Sequence, residues 1–140
     1  MHSDGLTDDT IRALLQRTRR IAVVGASARP GRPSNHVMEY LVGRKYHVTP
    51  VNPGLAGQLL HGMAAVAGLP DATPLDLVDV FRASDHAGAV VDEAIRLGAN
   101  AVWLQLGVID EAAAARGRAA GLTVVMDRCP AIEIPRLGLA

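Results

Sequence analysis

Between residues 25 and 34 the sequence "GASARPGRPS" sets a glycine, two serines and two arginines in one short stretch, Gly25, Ser27, Arg29, Arg32 and Ser34. Phosphate binding is the chemistry this set of residue types serves. Gly25 lets a backbone come close to a ligand, and a helix beginning near Ser34 offers free N–H groups and the positive end of its dipole. Ser27 and Ser34 add hydroxyl donors. Arg29 and Arg32 add permanent cations shaped for bidentate contact with phosphate oxygens. The fingerprint G-x-G-x-x-G is matched only in part, because Gly25 alone fits it and Ser27 stands in place of the second glycine. Either arginine taken singly reads equally well as a solvated loop charge; the clustering is what favours an anion.

Other chemically distinctive residues fall just after apolar runs. They are Asn52-Pro53, Phe81-Arg82, Gln105 with Gly107, and Asp127-Arg128-Cys129. Folds that bind NAD place an acidic residue at the end of the second strand to hold the ribose hydroxyls. Asn52 and Pro53 occupy that place here, which disfavours NAD and leaves open a ligand with an additional phosphate, NADP included. Phe81 fits a base-stacking residue or a core residue, and Trp103 reads as core.

Catalytic constellations are not visible. His2, His36, His47, His61 and His86 are scattered without metal-ligand spacing. No G-x-S-x-G elbow occurs. Asp76 and Asp79 fall on opposite faces of a strand, and Asp79 is expected to be satisfied by backbone donors. No catalytic residue and no metal ligand is assigned.

The elements that must position these residues alternate along the chain. Thr7 can cap a helix with Ile11, Leu14, Leu15 and Thr18 on one face, Asp8 and Asp9 in its first turn and arginines near its end. A strand follows over Ile21–Val24, then a helix from about Ser34 to Val42 closed by Gly43. Residues 46–51 read as a strand. The stretch 54–73 is the least regular, with a short strand near His61–Ala64 and a helical turn before "LPD". Residues 75–81 form a clear strand, and Ser84 can cap a helix running to Leu97 and Gly98. "AVWLQL" is a buried strand. Asp110 caps an alanine-rich helix to Ala120 whose Gly117 must be held by packing, since it costs about 1 kcal/mol relative to alanine. "LTVVM" is the last strand and "PAIEIPRL" a short terminal helix or turn.

The strands read as continuous apolar runs, which is the pattern of a parallel sheet covered on both faces. Right-handed crossovers then favour a doubly wound, Rossmann-like α/β sheet in a single domain over residues 1–140. The expected order puts the first strand centrally, with 46–51 and then the short strand on one side. On the other side come 75–81, 100–105 and 122–126. A crevice is expected between the Gly25 and Phe81 loops.

Composition narrows the class. A chain of 140 residues is one domain with room for a substantial core. Its formal net charge of zero does not provide the broad basic face of a nucleic-acid binder. The one cysteine excludes an internal disulfide and suits a reducing compartment. The polar, acidic opening "MHSDGLTDDT" does not read as a secretory signal, and no apolar run approaches membrane-spanning length. A soluble cytoplasmic protein is expected, without nucleic-acid or membrane partners.

In order and spacing, "VVGASARPGRPSNHV", "VNPGLAG", "VDVFR", "WLQLGV" and "VMDRC" resemble the small stand-alone CoA-binding proteins. Those are in turn similar to the N-terminal nucleotide-binding domain of the succinyl-CoA synthetase α subunit. The resemblance covers nearly the whole chain and implies a Rossmann-type fold that binds coenzyme A. By that likeness Gly25, Ala26, Ser27, Arg32 and Ser34 hold phosphates. Asn52, Pro53, Phe81 and Arg82 line the adenosine end, and Gln105 faces the rest of the crevice. The sequence departs from the pattern in "GMAAVAGL", residues 62–69, where such proteins often carry an aromatic residue. The ligase subunit's second domain, with its phosphorylated histidine, has no counterpart here, so a complete acyl-CoA synthetase is not expected. The implied function is binding of coenzyme A or an acyl-CoA without catalytic machinery. Two alternatives stand beside it, a small Rossmann enzyme using NADP or another nucleotide, and an interaction module with a vestigial nucleotide site. Cys129, after the last strand and beside Arg128, is expected to carry an activated thiol able to form a mixed disulfide with bound coenzyme A.

Overall fold

The computed structural model describes residues 4–139. Five parallel strands make the main sheet in the order β2-β1-β5-β6-β7. They are β1 (Arg20–Val24), β2 (His47–Val51), β5 (Leu77–Val80), β6 (Ala101–Leu104) and β7 (Thr123–Val125). The helices are α1 (Asp8–Arg17), α2 (Pro33–Gly43), α3 (Ser84–Arg96), α4 (Glu111–Ala119) and α5 (Pro130–Arg136).

Side-chain alternation divides the core into two layers. Ile21 and Val23 of β1, Leu77 of β5 and Ala101 and Trp103 of β6 join Ile11, Leu14 and Leu15 of α1, Met38 and Leu41 of α2 and Ile134 of α5. The intervening Ala22, Val78, Val80, Val102 and Leu104 meet Ala87 and Val91 of α3 and Ala113 and Ala114 of α4. Strands apolar on both faces need a helix layer on each, and the crossovers supply it. Trp103 is fully buried and donates from Nε1 to the Arg128 carbonyl at 2.8 Å, so its one polar atom is satisfied within the core. Gly117 is explained in the same way: a methyl there would come within 2.7 Å of Val124 Cγ2, where α4 presses on β7.

Several local expectations change. The segment expected to add a short strand beside β2 is instead an antiparallel hairpin of β3 (Leu59–Leu60) and β4 (Met63–Ala64). His61 and Gly62 are its turn, with φ of 50° and 82°. Two successive positive φ angles are what a two-residue hairpin turn of the primed type requires. The hairpin uses up these residues, and the chain meets β2 only afterwards, through one parallel bridge between Val51 and Val66. The helical turn covers Leu69–Ala72 and so includes "LPD" instead of preceding it. Thr18 ends α1 as its C-cap. Lys45, at φ 74°, takes the left-handed position after α2 that was expected of Gly43. Ser84 does not cap α3. Its hydroxyl accepts from Ile109 N–H at 3.0 Å and faces the Gly107 carbonyl at 3.3 Å, tying the β6–α4 loop to the start of α3. Thr7 and Asp110 do cap their helices, accepting from Thr10 N–H at 3.2 Å and Ala113 N–H at 2.9 Å.

Candidate functional site

The chain runs outward in opposite directions from β1 and β5, so the crossovers leave a crevice at the carboxyl ends of these two strands. A cleft of about 840 Å³ opens there. Its size is that of a cofactor site. Gly25, Ala26, Ser27, Arg32, Ser34, Asn52, Phe81, Arg82 and Gln105 all line it. Pro53 is exposed and is not part of the lining. Arg29, His36, Leu55 and Cys129 also reach it.

Gly25 is needed for a reason the sequence does not reveal. Its φ is +87°, and a methyl group there would run into the carbonyl oxygen of Phe81. Its own N–H and that of Ala26 donate to the Val51 carbonyl at 3.2 and 3.4 Å. Gly25 therefore serves the closure of β1 onto β2 and β5, and its amide is not a free phosphate donor.

The free donors come two and three residues later. Asn52 Nδ2 donates to the Ala26 carbonyl at 2.8 Å, and Asn35 Nδ2 donates to the Ser27 carbonyl at 2.9 Å. In a trans peptide the N–H points opposite to the preceding C=O. Tying back the carbonyls of Ala26 and Ser27 thus turns the N–H groups of Ser27 and Ala28 the other way, and both residues line the cleft. Neither N–H has a backbone acceptor among the described residues, so both are left to receive an anion. Asn35 is itself fixed, with Oδ1 3.0 Å from His61 Nε2, and Asn52 Oδ1 accepts from Gly54 N–H at 2.9 Å. Sequence reasoning missed Asn35. Its place in the first turn of α2, eight residues after Ser27, was the available signal.

Helix α2 adds a second set of donors. Its N-cap, Arg32, supplies no side-chain cap, and Pro33 holds the first helical position. Ser34 is buried at the cleft, and among the described residues its hydroxyl has no partner. Around these donors stand Arg29, Arg32 and Arg82, all exposed. None of the three pairs with a carboxylate among the described residues. Changing Asn52→Ala should leave the Ala26 carbonyl unpaired and cost about 1–2 kcal/mol, read as a lower midpoint in urea unfolding. An unchanged midpoint would mean that the loop holds its shape without Asn52.

Cys129 borders the cleft and is buried. Arg128 does not activate it. The Arg128 guanidinium is committed to Asp4 at 2.8 Å, to Glu133 at 2.9 Å and to the Leu6 carbonyl at 3.0 Å. That removes the cation on which the expected mixed disulfide depended. Asp79 also differs from expectation. It is fully buried, has no backbone donor among the described residues, and has the Gln105 side chain as its neighbour. Among the described residues no cluster of histidine, cysteine and carboxylate side chains could hold a metal. No described helix is long and apolar enough to cross a membrane.

A doubly wound parallel sheet with a cleft at its switch point, ringed by arginines without carboxylate partners among the described residues, defines a Rossmann-like domain. The sequence is more specific: residues 19–135 match the family model of the CoA binding domain, and the chain belongs to that family. YneT, an uncharacterized protein of Bacillus subtilis (strain 168), is 39% identical over 120 residues, which is 85% of this chain and 87% of that one. A hypothetical protein from Pyrococcus horikoshii OT3 superposes with a TM-score of 0.91 at 38% identity, covering 98% of this chain and 96% of the other. A structure from Thermus thermophilus gives 0.89 at 39% identity, over 94% and 99% of the two chains.

Proposed function

We propose that this protein binds coenzyme A, free or acylated, in the cleft between the Gly25 and Phe81 loops, and that it does so as a binding module without chemistry of its own. The observation that carries this reading is the set of three arginines at the cleft, free of carboxylate partners among the described residues. Coenzyme A brings a pyrophosphate and a ribose 3′-phosphate, enough anionic groups to engage them. The Ser27 and Ala28 N–H groups and the α2 start suit the pyrophosphate, where fixed N–H donors need no reorganisation. Asn52 at the end of β2 gives the ribose no carboxylate, which sets this site apart from that of NAD.

Calorimetry with coenzyme A and NAD tests the reading. Coenzyme A should bind the more tightly, and at a hundred times its Kd it should stabilise the fold by about 2.7 kcal/mol. Binding of NAD with none of coenzyme A would overturn it. Arg32 stands at the helix entry beside Ser34 and is assigned to the 3′-phosphate. Arg32→Ala should weaken coenzyme A by about 1.5–3 kcal/mol, the range for hydrogen bonds to charged groups. Dephospho-CoA, which lacks that phosphate, should bind the variant and the wild type alike. Equal losses for both ligands would move Arg32 to the pyrophosphate.

A further inference from the structure

Behind the cleft-lining Gln105 lies a carboxyl group that phosphate binding would not use. Asp79 lies in β5, in register with Val23 of β1 and Trp103 of β6, and is completely buried. In-register neighbours of a parallel sheet share a face, and so do residues two apart along a strand. Gln105, two residues beyond Trp103, therefore projects on the same side as Asp79, one step nearer the cleft. One terminal atom of its amide lies 2.8 Å from Asp79 Oδ1 and 3.3 Å from Oδ2. Gln105 is 6% exposed, and that exposure is to the cleft.

Which amide atom meets Asp79 depends on a proton. An ionised carboxylate only accepts, so it would draw the NH2 group of Gln105 inward and leave the amide oxygen at the cleft. A protonated carboxyl can donate to the amide oxygen, and the NH2 group is then left for a ligand. Burial pushes Asp79 well above the usual carboxylate range, and no charged group contributes. From the sheet it meets Val23 and Trp103, and the residues that follow it at the cleft on the same face are Phe81, Gln105 and the thiol of Cys129. The charges of Asp4, Arg128 and Glu133 in this layer are spent on one another.

We propose that Asp79 is a positioning residue: carrying a proton, it donates to the Gln105 carbonyl and so turns the Gln105 NH2 group into the cleft, where it binds a carbonyl oxygen of the ligand's arm. This inference rests on the reading of the cleft as a coenzyme A site. The phosphate loop follows β1, and Gln105 follows β6, two strand spacings or roughly 10 Å away. The pantetheine arm extends from the pyrophosphate and carries amide carbonyls along that path. An acyl-CoA adds a thioester carbonyl further out. Both present the same acceptor to Gln105.

A ligand-free measurement tests the proton. A carboxyl whose folded pKa is raised loses folded-state stability as pH rises above its unfolded value, near 4, while asparagine does not titrate. The melting temperature of Asp79→Asn should therefore gain on that of the wild type as pH is raised from 4 to 8. A variant-minus-wild-type difference that stays constant or falls over that range would overturn the protonated assignment. Calorimetry tests the arm, comparing coenzyme A, acetyl-CoA and adenosine 3′,5′-bisphosphate, which lacks the arm. Gln105→Leu should weaken coenzyme A about three- to tenfold and leave the arm-less nucleotide unchanged, as expected for one lost hydrogen bond. Asp79→Asn, whose NH2 can still donate to Gln105, should keep wild-type affinity. A further loss confined to acetyl-CoA would place Gln105 at the thioester; equal losses for coenzyme A and acetyl-CoA would place it at a pantetheine amide. Equal weakening of all three ligands, or of none, would sink the positioning role while leaving coenzyme A binding intact. Failure of every ligand to bind the wild type would instead remove the underlying reading.

Discussion

Replacing Arg128 with methionine is expected to destabilise the protein by about 3–5 kcal/mol, lowering the melting temperature by roughly 10–20 °C. The side chains of Arg128, Asp4 and Glu133 are 2%, 0% and 4% exposed, so the variant would leave the Asp4 carboxylate buried without its cation and Glu133 with Arg136 alone. Arg128 clasps both oxygens of Asp4, and Asp4 also accepts from the N–H groups of Leu6 and Met126. Arg136 extends the network from Glu133 to Asp8 at the start of α1. The N-terminal segment, β7 and α5 are thus joined through one guanidinium. The pH dependence separates charge from packing. Burial raises the pKa of Asp4 and of Glu133, but their hydrogen bonds outweigh it: those from Arg128, Leu6 and Met126 to Asp4, and those from Arg136 and Arg128 to Glu133. Both stay below the usual range. Their contribution in the wild type is therefore complete above the unfolded values, near pH 4, and fades as pH falls through the lower folded values. Without Arg128 burial dominates at Asp4, and acid relieves the variant. The stability gap should be widest at neutral pH and narrow toward pH 4. An equal gap at both would mean that lost packing is the whole effect.

Gly25→Ala should cost about 2–6 kcal/mol and weaken coenzyme A at least tenfold. Two terms combine. A side chain at φ +87° is strained by about 1–3 kcal/mol, and overpacking against a neighbour adds a similar amount. The obstacle is the Phe81 carbonyl, which is backbone and cannot rotate aside. Relief would have to come from moving the loop away from β5, which carries the Ser27 and Ala28 N–H groups out of place. Gly31 is the control, since it lies in the same loop with open space around its Cα and no positive φ. Gly31→Ala should fall within about 0.5 kcal/mol of wild type. Urea unfolding and calorimetry on both variants check this. Similar losses in the two would assign the effect to general stiffening of the loop.

Much of the architecture was legible because its signals are local. Apolar runs of strand length between helical repeats indicate a parallel sheet with helices on both faces, and such a sheet dictates where loops meet a ligand. Thr7 and Asp110 were readable as caps because capping acts over three residues. The hairpin at 59–64 was hidden by His61, whose type does not advertise a turn at positive φ. Ser84 read as a cap because it opens α3, but its hydroxyl found partners on a loop more than twenty residues on.

The sequence by itself determined the class of fold, the Gly25–Ser34 loop after β1 and the cleft beside Phe81, since all three follow from residue types and period along short stretches. Tertiary structure alone decided what several of those residues do. Gly25 makes room for the Phe81 carbonyl, Asn35 and Asn52 tie down the Ser27 and Ala26 carbonyls, and Arg128 serves Asp4 and Glu133 instead of Cys129. Asp79 and Gln105 meet because β5 and β6 are neighbours in register. The physical reason is common to these cases. Hydrogen bonds and steric limits act over a few ångströms, and folding alone brings residues separated by tens of positions within that distance.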